Sequence, residues 1–281
     1  MMNNVKIHRS IARVNGIDLF YMDTQLGDNV ILCLHGRWGR AETWVPFMQH
    51  YGDRYRVIAP DQRGHGLSSK PVSRYTAEEM AADIIALLDH LHIDSVLLVG
   101  HSMGGHIAGV LAAAHPARVK TLAILDKSAA GPQQATELTL EQIPTIDPLT
   151  KDWPLPFSSL QEARDFLKAH TESDLSYQYF LNSLVEKADG YHMLFSAQAM
   201  AANIAHYADW FDRLLHIHCP VLLIRAASRE AVTDHDLNRM QALLPNSLAF
   251  DMSHPDHNVQ HSNPEEFYGY FDQFLSRVEK R

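Results

Sequence analysis

The stretch VLLVGHSMGGHIAG at 96–109 sets an apolar run directly against an Ala/Gly-rich one, with Ser102 alone between glycines at the junction. A strand that passes into a helix through so few residues belongs to crossover units, which build parallel sheets. Gly100 and Gly104 flank Ser102 at two positions on either side, so the Cβ atoms that would clash in such a sharp turn are missing. The helix behind the turn aims its free N–H groups at any charge developing beside Ser102, and the Met103 amide is one donor suited to an oxyanion. The same glycines are equally consistent with a packing turn, so the rest of the chain has to decide. A dinucleotide fingerprint is disfavoured, because GHSMGG lacks the G-x-G-x-x-G spacing.

Short β-rich runs open the chain: VKIHRSIARVN, IDLFYMDTQ and VILCLHG, separated by Gly and by Leu-Gly-Asp. They predict an antiparallel start feeding a central strand. From residue 41 helical and strand patterns alternate: ETWVPFMQHYG, YRVIAP, a helix over 77–91 capped by Thr76 with Glu79, SVLLVG, a helix and TLAILD. Residues 131–216 break the rhythm with several helical patterns, such as LQEARDFLKAH and YADWFDRLLHI, and no convincing strand. Alternation resumes with PVLLIRAA, DHDLNRMQALL and SLAFDMS, and a last helix opens at Asn263-Pro264-Glu265-Glu266. The expectation is an α/β core over 1–130 and 217–281, split by a helical insertion over 131–216.

A net charge of −9 argues against a nucleic-acid binder, and 46% apolar residues over 281 positions are ample for one large core. The two cysteines, Cys33 and Cys219, read as small hydrophobes rather than a disulfide, which fits a reducing compartment. Without an apolar leader run or about 18 consecutive apolar residues, the expectation is a cytoplasmic protein with no membrane partner.

Four segments together resemble the α/β-hydrolase-fold serine hydrolases over nearly the whole chain. LCLHGRWGRAETW at 32–44 is similar to the family's HG oxyanion loop and DQRGHGLSSKP at 61–71 to the loop after the fourth strand; GHSMGG is similar to the nucleophile elbow and HNVQHSNPEEF at 257–267 to the catalytic-histidine segment. The resemblance implies an eight-stranded, mostly parallel sheet with helices on both faces and a helical cap. It implies Ser102 as nucleophile, His257 as base and the Arg37 amide as a second oxyanion donor beside Met103. Asp61, Arg63 and His65 are read as loop braces, while His254 is the fallback base and His261 a surface or helix-entry residue.

The acid is open between two places. After the seventh strand the family usually has an aspartate where this chain has Glu230, and some relatives use the strand that here ends in Asp126. Glu230 is the first choice, Asp126 the alternative, and Asp234 and Asp236 read as helix-capping residues. Trp38 is the candidate substrate contact beside the oxyanion loop, and Trp153, Phe157, Tyr177, Phe180, Phe195 and Trp210 are candidate cap residues. Arg37 and Arg40 raise the idea of a carboxylate-bearing substrate, weighed against solvated or ion-paired side chains. No cofactor is implied, and the histidines at 216, 218, 254, 257 and 261 form no recognised metal motif. The expected function is hydrolysis of a small-molecule ester or lactone. C–C or amide hydrolysis, cofactor-free perhydrolysis and a non-catalytic receptor are the alternatives. Oligomeric state is left open.

Overall fold

Asn15 and Gly16, both with positive φ (48° and 76°), turn the chain back on itself and pair β1 (His8–Val14) with β2 (Ile17–Asp23) in antiparallel register. The computed structural model describes residues 5–133 and 138–279. The N-terminal tetrapeptide and residues 134–137 at the start of the expected insertion lie outside the described residues. After the hairpin come β3 (Val30–Leu34), α1 (Val45–Tyr51), β4 (Arg56–Pro60), α2 (Ala77–His90), β5 (Val96–His101), α3 (Met103–Ala114) and β6 (Val119–Leu125). Following the insertion, the chain adds β9 (Val221–Arg225), α8 (Asp234–Leu243), β10 (Ser247–Asp251), α9 (Val259–Ser262) and α10 (Pro264–Glu279).

The strands form one eight-stranded sheet ordered β1-β2-β4-β3-β5-β6-β9-β10, parallel from β4 onward. Side chains alternate between its faces. Leu32, Leu34, Leu98, Leu122, Ile124 and Leu223 join the core under α2, α3 and α8, while Ile31, Cys33, Val99, Ala123, Leu125 and Ile224 join the core under α1 and α10. The second core is rich in rings: Phe271 of α10 is 1% exposed and meets Phe47 edge to face at 5.2 Å. Phe271→Ala is expected to cost about 3–5 kcal/mol through lost burial and a residual cavity. A fall in urea midpoint with unchanged slope is the readout; an unmoved midpoint would show that the site collapses without loss.

The α2 cap forms as the sequence implies, with Thr76 Oγ1 accepting from the Glu79 amide (3.2 Å), although the Glu79 carboxylate reaches the Tyr75 amide (2.8 Å) instead of completing the box on Thr76. Between β6 and β9 lie α4 (Leu160–His170), α5 (Asp174–Leu181), α6 (Ala197–Ala205) and α7 (Phe211–Leu214). The insertion also contains a small antiparallel hairpin, β7 (Leu184–Lys187) with β8 (Gly190–Met193), where only helical patterns were expected. Its four-residue strands are too short for a period-two signal, but the Asp189-Gly190 pair at its turn was a legible mark. Among the described residues no helix is long and apolar enough to cross a membrane.

Candidate active site

Strand β5 ends against the start of α3, and Ser102 at that corner takes φ 53° and ψ −117°, a backbone conformation that a non-glycine residue holds only when its surroundings force it. The glycines supply the room. A Cβ on Gly100 would lie 2.2 Å from the Gly104 carbonyl oxygen, and one on Gly104 would lie 2.3 Å from the Leu34 oxygen. Ser102 is pinned by donating its amide to Leu125 O (3.0 Å) on the neighbouring strand. Met103 opens α3, so its N–H has no acceptor within the helix.

On β3's far end, His35 fixes the loop that faces this corner. The Gln62 amide donates to His35 Nε2 (3.0 Å), which leaves the Nδ1 proton for Gly36 O (2.8 Å). Burial pushes this imidazole down to about 4, against the Gly36 bond that favours its charge, so it is a neutral brace. The Gly39 amide closes a turn on Gly36 O (3.2 Å) with Trp38 left-handed at φ 63°, which places Arg37 at the bend. Neither the Arg37 amide nor the Met103 amide has an acceptor among the hydrogen bonds of the described residues.

Asp126 follows β6 with φ 46° and is 1% exposed. Its Oδ1 accepts from the Ala226 amide (2.9 Å), and its Oδ2 accepts the Nδ1 proton of His257 (2.7 Å). With Nδ1 committed as donor, Nε2 of His257 is the basic nitrogen. The His257 main chain is held as well, because His101 Nε2 donates to its carbonyl (2.8 Å). Burial, and then the neighbouring His257, drive His101 well below the histidine range.

Of the two candidate acids, the fold brings Asp126 to His257 and leaves Glu230 apart from it. Glu230 is exposed in the loop after β9, on the rim of an outer cleft that also touches Asp126, His254 and His257, but no hydrogen bond among the described residues joins it to His257. The reason lies in the sheet. Asp126 ends the strand beside the one carrying Ser102, whereas the 226–232 loop turns outward and is tied by Arg225 and Arg229 to Asp234 and Asp251. Asp234 lies in that ion-pair cluster, and Thr233 caps α8 by accepting from the Asp236 amide (3.1 Å). His254 is exposed with its Nδ1 accepting from the Asp256 amide (3.1 Å), and His261 lies half-buried in α9.

Ser102, His257, Arg37 and Trp38 line one cavity of about 470 Å³, walled on the insertion side by Leu149, Trp153, Glu172, Tyr179 and Phe180. Of the aromatic residues expected there, only Trp153 and Phe180 line it. Phe157 and Phe195 are buried in the insertion, Tyr177 packs at the edge of its core, and Trp210 packs on Gly109 of α3. Trp38 donates its indole N–H to Asp147 (2.9 Å). His101 and Tyr179 were not singled out from sequence, although His101 is the first variable residue of G-x-S-x-G and Tyr179 stands between two named aromatics. The DQRGHG residues are braces: Asp61 accepts from the Ala41 (2.6 Å) and Leu67 (2.7 Å) amides, and Arg63 pairs with Asp83 and Glu79. Among the described residues no group of three or more His, Cys, Asp or Glu side chains is placed to hold a metal ion.

The sequence profile described as the alpha/beta hydrolase fold matches residues 29–264, which span the parallel strands β3 to β10, the Ser102 corner and the histidine loop. The chain belongs to the α/β-hydrolase family. Within the family it is similar to a 2-hydroxy-6-oxononadienedioate/2-hydroxy-6-oxononatrienedioate hydrolase of Burkholderia vietnamiensis, 28% identical over 92% of this chain and 90% of that protein. A 2-(acetamidomethylene)succinate hydrolase of Mesorhizobium japonicum is 27% identical over 84% of each chain. The solved structure of an E-2-(acetamidomethylene)succinate hydrolase shares the hydrolase fold at a TM-score of 0.82 with 24% identity, covering 96% of this chain and 100% of that one. The enol-lactonase from Burkholderia xenovorans LB400 does so at 0.74 with 20% identity, covering 95% and 100%.

Proposed function

We propose that this α/β-hydrolase is a serine hydrolase of small-molecule esters or lactones, with Ser102 as nucleophile, His257 as base and Asp126 as the acid. The observation that carries the reading is the Asp126–His257 hydrogen bond (2.7 Å) in a cavity shared with a serine held at φ 53°. Ser102 Oγ attacks the carbonyl as His257 Nε2 takes its proton, and Asp126 stabilises the imidazolium. The amides of Arg37 and Met103 receive the oxyanion, a contribution of about 10²–10³ in rate per donor. Collapse expels the alcohol with a proton from His257, and a water deprotonated by the same nitrogen releases the acid. Residues 131–216 act as a cap that encloses the substrate. A cytoplasmic location and a small-molecule substrate, without a nucleic-acid or membrane partner, belong to the same reading.

The test is covalent. With p-nitrophenyl acetate the enzyme is expected to release a burst of one p-nitrophenol per chain, and a fluorophosphonate to add once, on the peptide carrying Ser102. Labelling elsewhere, or no burst and no adduct, would sink the reading and favour the non-catalytic receptor. A second reading is C–C or amide cleavage on the same three residues. It is favoured by the two relatives above, whose named substrates carry a ketone and an amide rather than an ester. A kcat/KM higher on such ketones or amides than on esters and lactones would select it.

A further inference from the structure

Arg37 is a cation in the cavity whose charge no protein carboxylate takes up directly. Among the described residues none lies within ion-pairing distance of it, in contrast to Arg40, which pairs with Glu42 (3.2 Å). Among those residues its only hydrogen-bond acceptor is the Asn203 amide oxygen, reached by both Nε and Nη2 at 3.3 Å. Asn203 is 7% exposed and is itself set by donating to Tyr75 O (3.1 Å). That bond occupies the side edge of the guanidinium and leaves the Nη1–Nη2 fork, a second edge able to take a carboxylate bidentately. Burial disfavours the Arg37 charge, and Asp147, Tyr207 and Tyr179 are the facing groups whose fields favour it. Asp147 does not fill the fork, being committed to the Trp38 indole (2.9 Å) and the Thr150 hydroxyl (2.7 Å).

Tyr179 supplies the second observation. Its hydroxyl is buried, its oxygen set against the Gly36 backbone amide and its proton without an acceptor among the described residues, and the residue lines the same cavity. It stands beside the nucleophile: a Cβ built on Gly36 would lie 3.0 Å from the Tyr179 hydroxyl and 3.2 Å from Ser102 Cβ. A buried hydroxyl proton without an acceptor is costly, so the donor placed there awaits an acceptor from the ligand.

We propose that Arg37 and Tyr179 form a carboxylate subsite beside Ser102, so that the substrate carries a carboxylate as well as the carbonyl that is attacked. The inference rests on the serine-hydrolase reading for its chemistry but not for its binding test. The substrate class is then an acid-ester, acid-lactone or similar anionic carbonyl compound, with Arg37 and Tyr179 as specificity residues. Arg37 has two separate uses, its amide for the oxyanion and its guanidinium for the acid group.

The experiment compares p-nitrophenyl hydrogen glutarate with neutral p-nitrophenyl valerate. The protein is expected to favour the anionic ester in kcat/KM, and Arg37→Gln to lower the ratio of the two specificities about 10- to 100-fold, mainly through KM. Tyr179→Phe lowers it less, and Arg37→Lys retains part of it. A ratio unchanged by Arg37→Gln overturns the proposal. Glutarate binding to Ser102→Ala protein, measured by calorimetry against glutaramide, gives the same answer without turnover: tighter glutarate supports the subsite and equal affinities sink it. Failure of Ser102 labelling would overturn the serine chemistry alone, because the glutarate comparison would still stand.

Discussion

Asp126→Asn is expected to lower kcat on an activated ester about 10⁴-fold, while Glu230→Gln stays within about twofold. The asparagine keeps an oxygen for the Ala226 amide, now 2.9 Å from Asp126 Oδ1, so the loop after β9 stays in place. What changes is the group at 2.7 Å from His257 Nδ1. An amide there donates, forces the proton onto Nε2, and leaves no lone pair to take the Ser102 proton. Steady-state kinetics of both variants, with thermal midpoints within a few degrees of the parent, make the comparison clean. The opposite ordering, with only Glu230→Gln inactive, would return the acid to the exposed loop.

Stability is expected to fall steeply as pH drops below 6.5. His35, His65, His101 and His106 are buried and all pushed down, in each case chiefly by desolvation, with His35 at about 4 and His106 at about 3. A folded-state pKa below the unfolded one means that the unfolded chain binds the proton first, so the stabilisation is complete above 6.5 and is lost as pH falls toward the folded value. At pH 5, His35 and His106 alone cost roughly 2 kcal/mol each, a large share of a typical total of about 5–15 kcal/mol. His65 and His101 act in the same direction. Lys127, over the Tyr207 ring at 4.0 Å and pushed down to about 7 by burial and then Arg37, adds the same sign of slope above neutrality. Urea titrations from pH 8 to 5 check this. His106→Phe, which keeps a ring beside Tyr207 and Trp210, should flatten the acid limb by up to one proton, and a flat profile between pH 7 and 5 would refute the account.

Most of the sheet was legible because its strands are apolar on both faces and its turns carry their own chemistry. Asn15-Gly16, the Thr76 cap and the Gly100/Gly104 pair each act within a few residues, so local pattern suffices. The β7–β8 hairpin was missed because four residues give too little alternation to outweigh the helical patterns around it. Among site residues, Ser102 and His257 stand in segments whose neighbours mark them. Tyr179 stands in an ordinary amphipathic helix, where nothing separates a ring facing the cavity from one facing the core.

Sequence by itself determined the fold, the corner at Ser102 and the loop of His257, since these depend on near neighbours and on apolar period. Only tertiary structure shows which of the two carboxylates reaches His257 and how Arg37 is partnered. Both Asp126 and Glu230 follow a strand, and what separates them is that β6 lies beside β5 and the carboxylate just after it is buried, while the loop after β9 is tied by arginine pairs to Asp234 and Asp251. Whether an arginine is neutralised likewise depends on which residues arrive from 166 positions away, and for Arg37 the arrival was an amide, not a carboxylate.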